Sequence, residues 1–158
     1  MNVGILGLGE VGSAIKKLVS QKHKSYVREI NFDEIASNKI NVLHICIPFT
    51  PKFISIVEQL ITETKPKLTI INSTVKPGTT NKLHNQTKTP LVHAPIQGVH
   101  PNLYKYFFQF PKFIGAVNHK SYKLAHEHFT NLGVKVERFD SPLESELAKL
   151  LSTTINRD

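Results

Sequence analysis

Three glycines near the start of the chain have the spacing of a phosphate-binding turn. They lie in Gly7-Leu8-Gly9-Glu10-Val11-Gly12, between a short apolar run and a stretch with helical apolar spacing. In a strand–turn–helix unit, such glycines permit a tight turn, close approach to a pyrophosphate, and close packing of helix on strand. The helix N-terminus adds amide donors and the positive end of its dipole. The groups predicted to bind a dinucleotide are Gly7, Gly9 and the backbone amides of Glu10, Val11 and Gly12.

A dinucleotide site of this type also needs an acidic residue about 20 positions further along, which accepts hydrogen bonds from the adenosine ribose. Glu29 has this position, in the strand-like stretch Ser25–Asn31. Its carboxylate would repel a 2′-phosphate, so the predicted cofactor is NAD. The neighbouring Arg28 leaves NADP open, because a guanidinium binds phosphate well. Asp33 is the competing acid, and we expect it to cap a short helix at 33–36.

Short apolar runs alternate with segments of helical spacing along the chain. This alternation predicts an α/β fold, a single Rossmann-type, doubly wound, mainly parallel sheet with helices on both faces. Ligands of such sheets bind beyond the carboxyl ends of the strands. An aromatic-rich segment from Gly98 to Phe110 is predicted to be a loop. The segments expected at the ligand edge are Gly7–Gly12, Pro48–Pro51, Asn72–Thr74 and Ala94–Pro101.

The composition limits the classes of partner. The chain has 158 residues, 40% of them hydrophobic, and a net charge of +8. The basic residues are spread evenly and form no nucleic-acid module, so we expect no nucleic-acid partner. A diffuse positive field attracts small anions, and an anionic small-molecule substrate is predicted. No apolar run approaches the roughly 20 residues of a membrane span, and no signal peptide is visible. We therefore predict a cytoplasmic protein without membrane contact.

Neither the cysteine nor the paired histidines predict a metal site. Cys46 is the single cysteine and lies in the middle of an apolar strand-like run, where a thiol is inert. His126 and His128 are two residues apart on a predicted helix, so their side chains point in different directions. We expect no bound metal.

Several segments in series resemble UDP-glucose/GDP-mannose dehydrogenases. Ile45–Pro51 is similar to the loop after their third strand, and Asn72–Thr79 to their Ser-Thr-Val-x-Pro-Gly-Thr signature. Glu146–Leu150 is similar to the Glu-Leu-x-Lys-Leu start of their central helix. The resemblance covers nearly the whole chain, but only the N-terminal, NAD-binding half of that family.

The resemblance implies roles for individual residues. Pro48 and Ser73 would lie against the cofactor. Thr74 would hold a catalytic water or the substrate near the nicotinamide. Lys149 would stabilise negative charge that develops on the substrate oxygen, as an ammonium in a closed cleft can.

The chain also departs from the family pattern. Thr153 stands where the family has an asparagine. The family has a catalytic glutamate after an Asn-Pro pair, and the nearest equivalent here, Ala94–Gln97, contains no acid. The family's nucleophilic thiol belongs to a second domain, and this chain stops at Asp158. Oxidation through a thiohemiacetal is therefore not expected.

Gly98–Pro101 more loosely resembles the Gly-x-His-Pro segment of prephenate and arogenate dehydrogenases. That resemblance makes His100 a base for the proton lost when an alcohol gives up hydride. The alternative is that His100 hydrogen-bonds the loop backbone. Three hypotheses follow: an oxidoreductase acting on an anionic alcohol, a prephenate- or hydroxyacid-type dehydrogenase using His100, and a non-catalytic dinucleotide-binding module.

The chain is expected to divide into a Rossmann domain at 1–140 and a C-terminal helix at 141–158. Pro142 suits the first turn of this helix. Its leucines have helical spacing and predict an apolar stripe that partly covers the sheet and partly forms a homodimer interface. These leucines are Leu143, Leu147, Leu150 and Leu151.

Overall fold

The computed structural model describes residues 1–98 and 102–155, in which seven strands and six helices follow one another. The strands are β1 (Asn2–Leu6), β2 (Lys24–Arg28), β3 (Val42–Ile45), β4 (Leu68–Ile71), β5 (Leu91–His93), β6 (Lys112–Ala116) and β7 (Val136–Phe139). The helices are α1 (Glu10–Val19), α2 (Phe53–Thr64), α3 (Thr79–Thr87), α4 (Leu103–Gln109), α5 (His119–Asn131) and α6 (Pro142–Ile155).

The seven strands form one sheet in the order β2-β1-β3-β4-β5-β6-β7. The first five strands in this order are parallel, β6 is antiparallel to β5, and β7 is parallel to β6. The chain leaves β1 in one direction to form β2 and later returns to form β3 on the other side of β1. This reversal opens a crevice beyond the carboxyl ends of β1 and β3, where doubly wound sheets bind ligands.

Helices cover both faces of the sheet, as the alternating pattern predicts. One hydrophobic cluster joins α1, α4 and α5 to the first face, and a second joins α2 and α3 to the other. Every residue of β3 and of β4 is buried, which fits central strands covered on both sides. The predicted fold, a mainly parallel Rossmann-type sheet, is confirmed.

Two local predictions are wrong. The segment from Leu103 to Gln109 is a helix and not a loop, because Leu103 and Phe107, four residues apart, both pack into the core. Residues 33–36 form a turn and not a helix. Asp33 does accept hydrogen bonds from the amides of Ile35 and Ala36, as a cap would, but no helix follows.

The C-terminal helix α6 packs on β6 with a face that the leucine spacing did not predict. Gly115 makes room for it, since a Cβ there would come within 2.6 Å of the carbonyl oxygen of Ser141. The buried residues at its start are Pro142, Ser145 and Glu146. Three of the four leucines of the stripe do not cover the sheet: Leu143, Leu147 and Leu151 are 41%, 50% and 63% exposed, whereas Leu150 is partly buried.

Within the described residues, no helix is both long and apolar enough to cross a membrane.

Candidate functional site

The glycine turn between β1 and α1 has the local geometry that phosphate binding requires. Gly7 has φ +94°, and a Cβ there would lie 3.0 Å from the carbonyl oxygen of Cys46. A Cβ on Gly12 would overlap the carbonyl oxygen of Gly7, so α1 can approach the strand only with glycine at this position. These two glycines are therefore required by the fold itself.

Unlike Gly7 and Gly12, Gly9 is not required by the backbone conformation or by the packing of the fold. Its φ is −73°, which any residue adopts, and a Cβ on it would meet nothing within 4 Å. It is the N-cap of α1, and in the described chain no side chain caps this helix end. The space beside Gly9, at the positive end of the helix dipole, is open to a phosphate.

Glu29 follows β2 and lies against the turn. Its carboxylate accepts hydrogen bonds from the amides of Leu8, at 2.5 Å, and Ile30, at 3.1 Å. These two bonds lower the pKa of the Glu29 carboxyl, so it is ionised at neutral pH. The turn and the ribose-binding acid predicted from spacing are thus in direct contact.

Arg28 is occupied by two other carboxylates. Its Nη2 lies 2.9 Å from Asp33 Oδ2 and 2.6 Å from Glu63 Oε2. The hydrogen bond to Asp33 is the main cause of the raised pKa of Arg28. A guanidinium held between two acids is a poor receptor for a further phosphate.

A cleft of about 770 Å³ borders the turn, between the first half of α1 and the start of α4. Leu8, Gly9 and Ser13 line one side of it, and residues 102–105 line the other. Lys17 also lines the cleft, with its Nζ 4.3 Å from the centre of the Tyr104 ring. Lys105 and one acid, Glu10, also line the cleft, so an anion that reaches Gly9 meets two lysines and one carboxylate.

The loops after β3 and β4 are joined at the same edge of the sheet. Ser73 is buried and its hydroxyl donates to the carbonyl oxygen of Ile47 at 2.5 Å. Pro48 and Thr74 are exposed on either side of this contact. Pro48, Ser73 and Thr74 therefore lie together at the ligand edge, with Ser73 connecting the two loops.

Lys149 is half-buried on α6 and reaches the loop after β5. Its Nζ donates to the carbonyl oxygen of Ile96 at 3.0 Å, and burial lowers its pKa. His100, the third residue predicted for catalysis, lies outside the described residues, as does the side chain of Thr153, which stands in place of the family's asparagine.

Glu146 has a structural role that the motif alone did not suggest. Its carboxylate accepts from the amide of Gly78 at 2.9 Å, and from the amide and hydroxyl of Thr80 at 3.0 and 2.7 Å. It therefore caps the N-terminus of α3 from a different helix. This contact fixes α6, and with it Lys149, relative to the loop that carries Thr74.

Two buried polar groups near the site, His93 and Lys112, are not among the site residues predicted from the sequence, and His93 was expected to pack in its strand. His93 Nδ1 lies 2.6 Å from Ser145 Oγ and its Nε2 lies 3.0 Å from the carbonyl oxygen of Ser73. Lys112, at the start of β6, is 3% exposed and bonds to Asn72 Oδ1. The sequence did contain one indication of this buried lysine, since Lys112 begins the apolar run 112–117. Lysines are ordinarily exposed, however, so the run alone does not predict a buried one.

Cys46 is buried, and desolvation raises the pKa of its thiol to about 12. A thiol with this pKa does not form the thiolate that a nucleophile needs. Among the described residues, no group of three or more histidines, cysteines or acids could hold a metal ion.

The sheet order and the glycine turn between β1 and α1 define the class of the fold, a Rossmann-type fold. No protein-family model and no curated protein matches the chain. Solved structures do: UDP-D-ManNAc dehydrogenase from Pyrococcus horikoshii superposes with TM-score 0.84 at 21% identity, over 99% of this chain and 50% of that one.

Two other dehydrogenases share the fold. The 3-hydroxyisobutyrate dehydrogenase of Mycobacterium tuberculosis matches with TM-score 0.73 at 15% identity, over 98% of this chain and 59% of that one. The prephenate dehydrogenase of A. aeolicus matches with TM-score 0.68 at 19% identity, over 92% of this chain and 61% of that one. The predicted likeness to the NAD-binding half of nucleotide-sugar dehydrogenases is confirmed at the level of the fold. The chain spans about half the length of the nucleotide-sugar dehydrogenases that it matches.

Proposed function

We propose that this chain binds NAD(H) and serves as the cofactor-binding part of an oxidoreductase. The observation that carries the proposal is the pairing of an open Gly9 with the Glu29 carboxylate on the same turn. The pyrophosphate would bind to the amides of Glu10, Val11 and Gly12, and the ribose hydroxyls to Glu29. Because Arg28 is neutralised by Asp33 and Glu63, NAD is favoured over NADP.

If NAD binds here, it would supply the hydride acceptor for an alcohol carbon of the substrate. The hydroxyl proton of the alcohol would leave to a water held beside Thr74. The chain would contribute groups that hold and polarise this alcohol. In this proposal Thr74 positions the substrate or a water, and the Lys149 ammonium stabilises negative charge on the substrate oxygen. The net charge of +8 favours an anionic substrate. A cytoplasmic location remains a prediction.

Titration calorimetry with NAD and NADP tests the cofactor, using Gly9→Ala as the critical variant. A methyl group at Gly9 costs the protein little, so we expect unchanged folding and about tenfold or greater loss of NAD affinity. Tighter binding of NADP than of NAD, abolished by Arg28→Ala, would show that Arg28 and not Glu29 sets the choice. Equal NAD binding by Gly9→Ala and the wild type would refute the site.

Two alternatives remain for the chemistry. A non-catalytic dinucleotide-binding module is favoured because Ala94–Gln97 contains no acid and Thr153 stands in place of the family's asparagine. A prephenate- or hydroxyacid-type dehydrogenase would instead use His100 as base. NADH formation with a panel of nucleotide-sugars and hydroxyacids separates the three. If Lys149→Met abolishes turnover, the main proposal is supported. If only His100→Ala abolishes turnover, the prephenate- or hydroxyacid-type dehydrogenase is supported. NAD binding without turnover of any substrate supports the module.

We also propose a homodimer through α6. Its exposed leucines form an apolar stripe on a helix that carries Lys149 on an adjoining face. Burial of such a stripe contributes about 25 cal/mol per Å² of apolar area. A dimer formed in this way would place the second chain beside Lys149.

A further inference from the structure

A second cleft lies between the first turns of α2 and α3, on the face of the sheet that these two helices cover. Its volume is about 460 Å³, which is within the range of small-molecule sites. The loop after β3 and the start of α2 form one wall, and the loop after β4 and the start of α3 form the other. We call it the α2–α3 cleft.

The charged side chains of the α2–α3 cleft are all positive. Lys76 and Lys82 line it, and none of the described residues that line it is acidic. Both lysines are exposed, and neither ammonium has an ion pair or a hydrogen bond with a described residue. The cleft beside Gly9 differs, because Glu10 accompanies its lysines. Two unpaired ammonium groups favour an anion as the ligand, and a doubly charged anion over a singly charged one.

The start of α3 does not supply the attraction for this anion, because Glu146 already occupies its amides. The carboxylate of Glu146 accepts from the N–H groups of Gly78 and Thr80 and from the Thr80 hydroxyl. Glu146 is 1% exposed and is not among the residues that line the cleft. The preference for an anion therefore depends on the side chains of Lys76 and Lys82.

Most of the remaining lining is apolar and includes an aromatic ring. The apolar residues are Phe49, Pro51, Ile54 and Pro77. The Phe49 ring lies 5.4 Å from that of Phe53, yet Phe49 is 36% exposed, so part of its surface is left for another contact. Gly78 leaves further room, since a Cβ there would meet nothing within 4 Å. The lining suits a ligand whose charged group is attached to a flat apolar body that packs on Phe49.

We propose that the α2–α3 cleft is a second ligand site, which binds a small phosphate monoester with a flat apolar body. Such an ester carries a charge close to −2 at neutral pH, which matches the two lysines. The site is separate from the proposed NAD site, because none of its lining residues belongs to the glycine turn or to β2. It adjoins the ligand edge, since Lys76 follows Thr74 by two residues and their Cα atoms are at most about 7 Å apart.

Phenyl phosphate, titrated into the ¹⁵N-labelled full chain at about pH 7.5, tests the proposal by NMR. We expect millimolar or tighter binding that shifts the backbone amide signals of residues 76–79. Three related compounds separate the contributions: benzenesulfonate has the ring with one negative charge, inorganic phosphate has no ring, and benzyl alcohol has no charge. Each should bind at least about threefold more weakly than phenyl phosphate. Equal binding of benzenesulfonate, or of inorganic phosphate, would overturn the proposed ligand class.

Four variants test the residues. Lys76→Gln and Lys82→Gln should each weaken the binding of phenyl phosphate about three- to tenfold. Lys120→Gln is the matched control, because it removes the same charge from an exposed position on α5, which packs on the other face of the sheet. It should bind as the wild type does, and an equal loss in this variant would show that only net charge matters. Phe49→Ala should reduce the binding of phenyl phosphate to that of inorganic phosphate.

Two further results locate the ligand and separate it from NAD. The phenyl protons should show nuclear Overhauser effects to the Phe49 ring and the Ile54 methyl groups, and their absence would contradict the proposal. Gly9→Ala, which should lose NAD, should bind phenyl phosphate as the wild type does. If this variant loses phenyl phosphate, or if NAD displaces it from the wild type, the phosphate binds at the glycine turn and the proposal is wrong. A chain that does not bind NAD would leave all these expectations unchanged.

Discussion

A lysine side chain lies in the hydrophobic interior of this domain, and it should dominate part of the pH dependence of stability. Lys112 has the rings of Phe107 and Phe129 each 5.5 Å from its Nζ. Desolvation lowers its pKa from 10.5 to about 7 in the folded state. The unfolded chain therefore binds more protons between these values, and folding becomes more favourable as pH rises through that window.

Lys112→Met should remove this dependence. The pKa difference corresponds to at most roughly 5 kcal/mol, so the advantage of the variant over the wild type should fall by several kcal/mol between about pH 6 and pH 10. Denaturant unfolding at a series of pH values measures this difference. Parallel pH profiles for the two proteins would mean that Lys112 reaches water in the folded state.

Gly12→Ala should destabilise the fold much more than Gly9→Ala does. Gly12→Ala places a methyl group on the carbonyl oxygen of Gly7 and must separate α1 from β1. We expect it to destabilise the fold by about 2 kcal/mol or more, whereas Gly9→Ala should lower the stability by less than about 1 kcal/mol. Thermal unfolding of both variants checks this contrast, and equal losses would contradict it.

At the scale of elements, Glu146 should account for the docking of α6 on α3. Glu146→Gln turns one acceptor oxygen into a donor that faces the N–H groups of residues 78–80. We expect a loss of about 1 to 3 kcal/mol in the free energy of unfolding. Glu144→Gln is the control, because Glu144 lies on the same helix but is exposed. This substitution should change stability by less than about 0.5 kcal/mol. Indistinguishable losses would show that the cap contributes little.

The leucines of α6 give the proposed dimer its test. Light scattering at micromolar concentration should give the mass of a dimer for the wild type and of a monomer for Leu147→Glu and Leu151→Glu. Both positions are at least half exposed, so a glutamate there should leave the subunit folded. A monomeric mass for the wild type would contradict the proposed dimer.

Elements that depend on local pattern could be predicted, and those that depend on distant partners could not. The glycine turn, Glu29 and the alternation of strands and helices could be predicted because each depends on the types and spacing of residues that lie close together in the sequence. Helix α4 was missed because aromatic residues occupy all of its sides and leave no polar face with a visible period. The contact of Lys112 with Asn72 joins residues 40 positions apart, and only the folded sheet brings them together.

At the scale of the whole molecule, the net charge of +8 should make the affinity for NAD depend on salt. The dinucleotide is an anion, and added salt screens long-range attraction to a positive surface. We expect a roughly three- to tenfold weaker affinity on moving from low to moderately high salt. Sucrose at equal osmolality is the control and should leave the affinity unchanged. If the affinity for NAD does not change with salt, the net charge of the protein does not contribute to binding, and only contacts inside the site do.

The sheet order has a consequence for how copies of this chain can meet. The two outermost strands, β2 and β7, have no further strand of the sheet beside them, and such edges can recruit a strand from another molecule. On β2 the segment after the strand already covers part of this edge, because Glu34 pairs with the backbone N–H and C=O of Val27. Both strands carry long charged side chains, Lys24 and Arg28 on β2, and Glu137 and Arg138 on β7. Extending the sheet across either edge would crowd these charges together. Growth of the sheet into ribbons is thereby discouraged, and association is left to the surfaces of the helices.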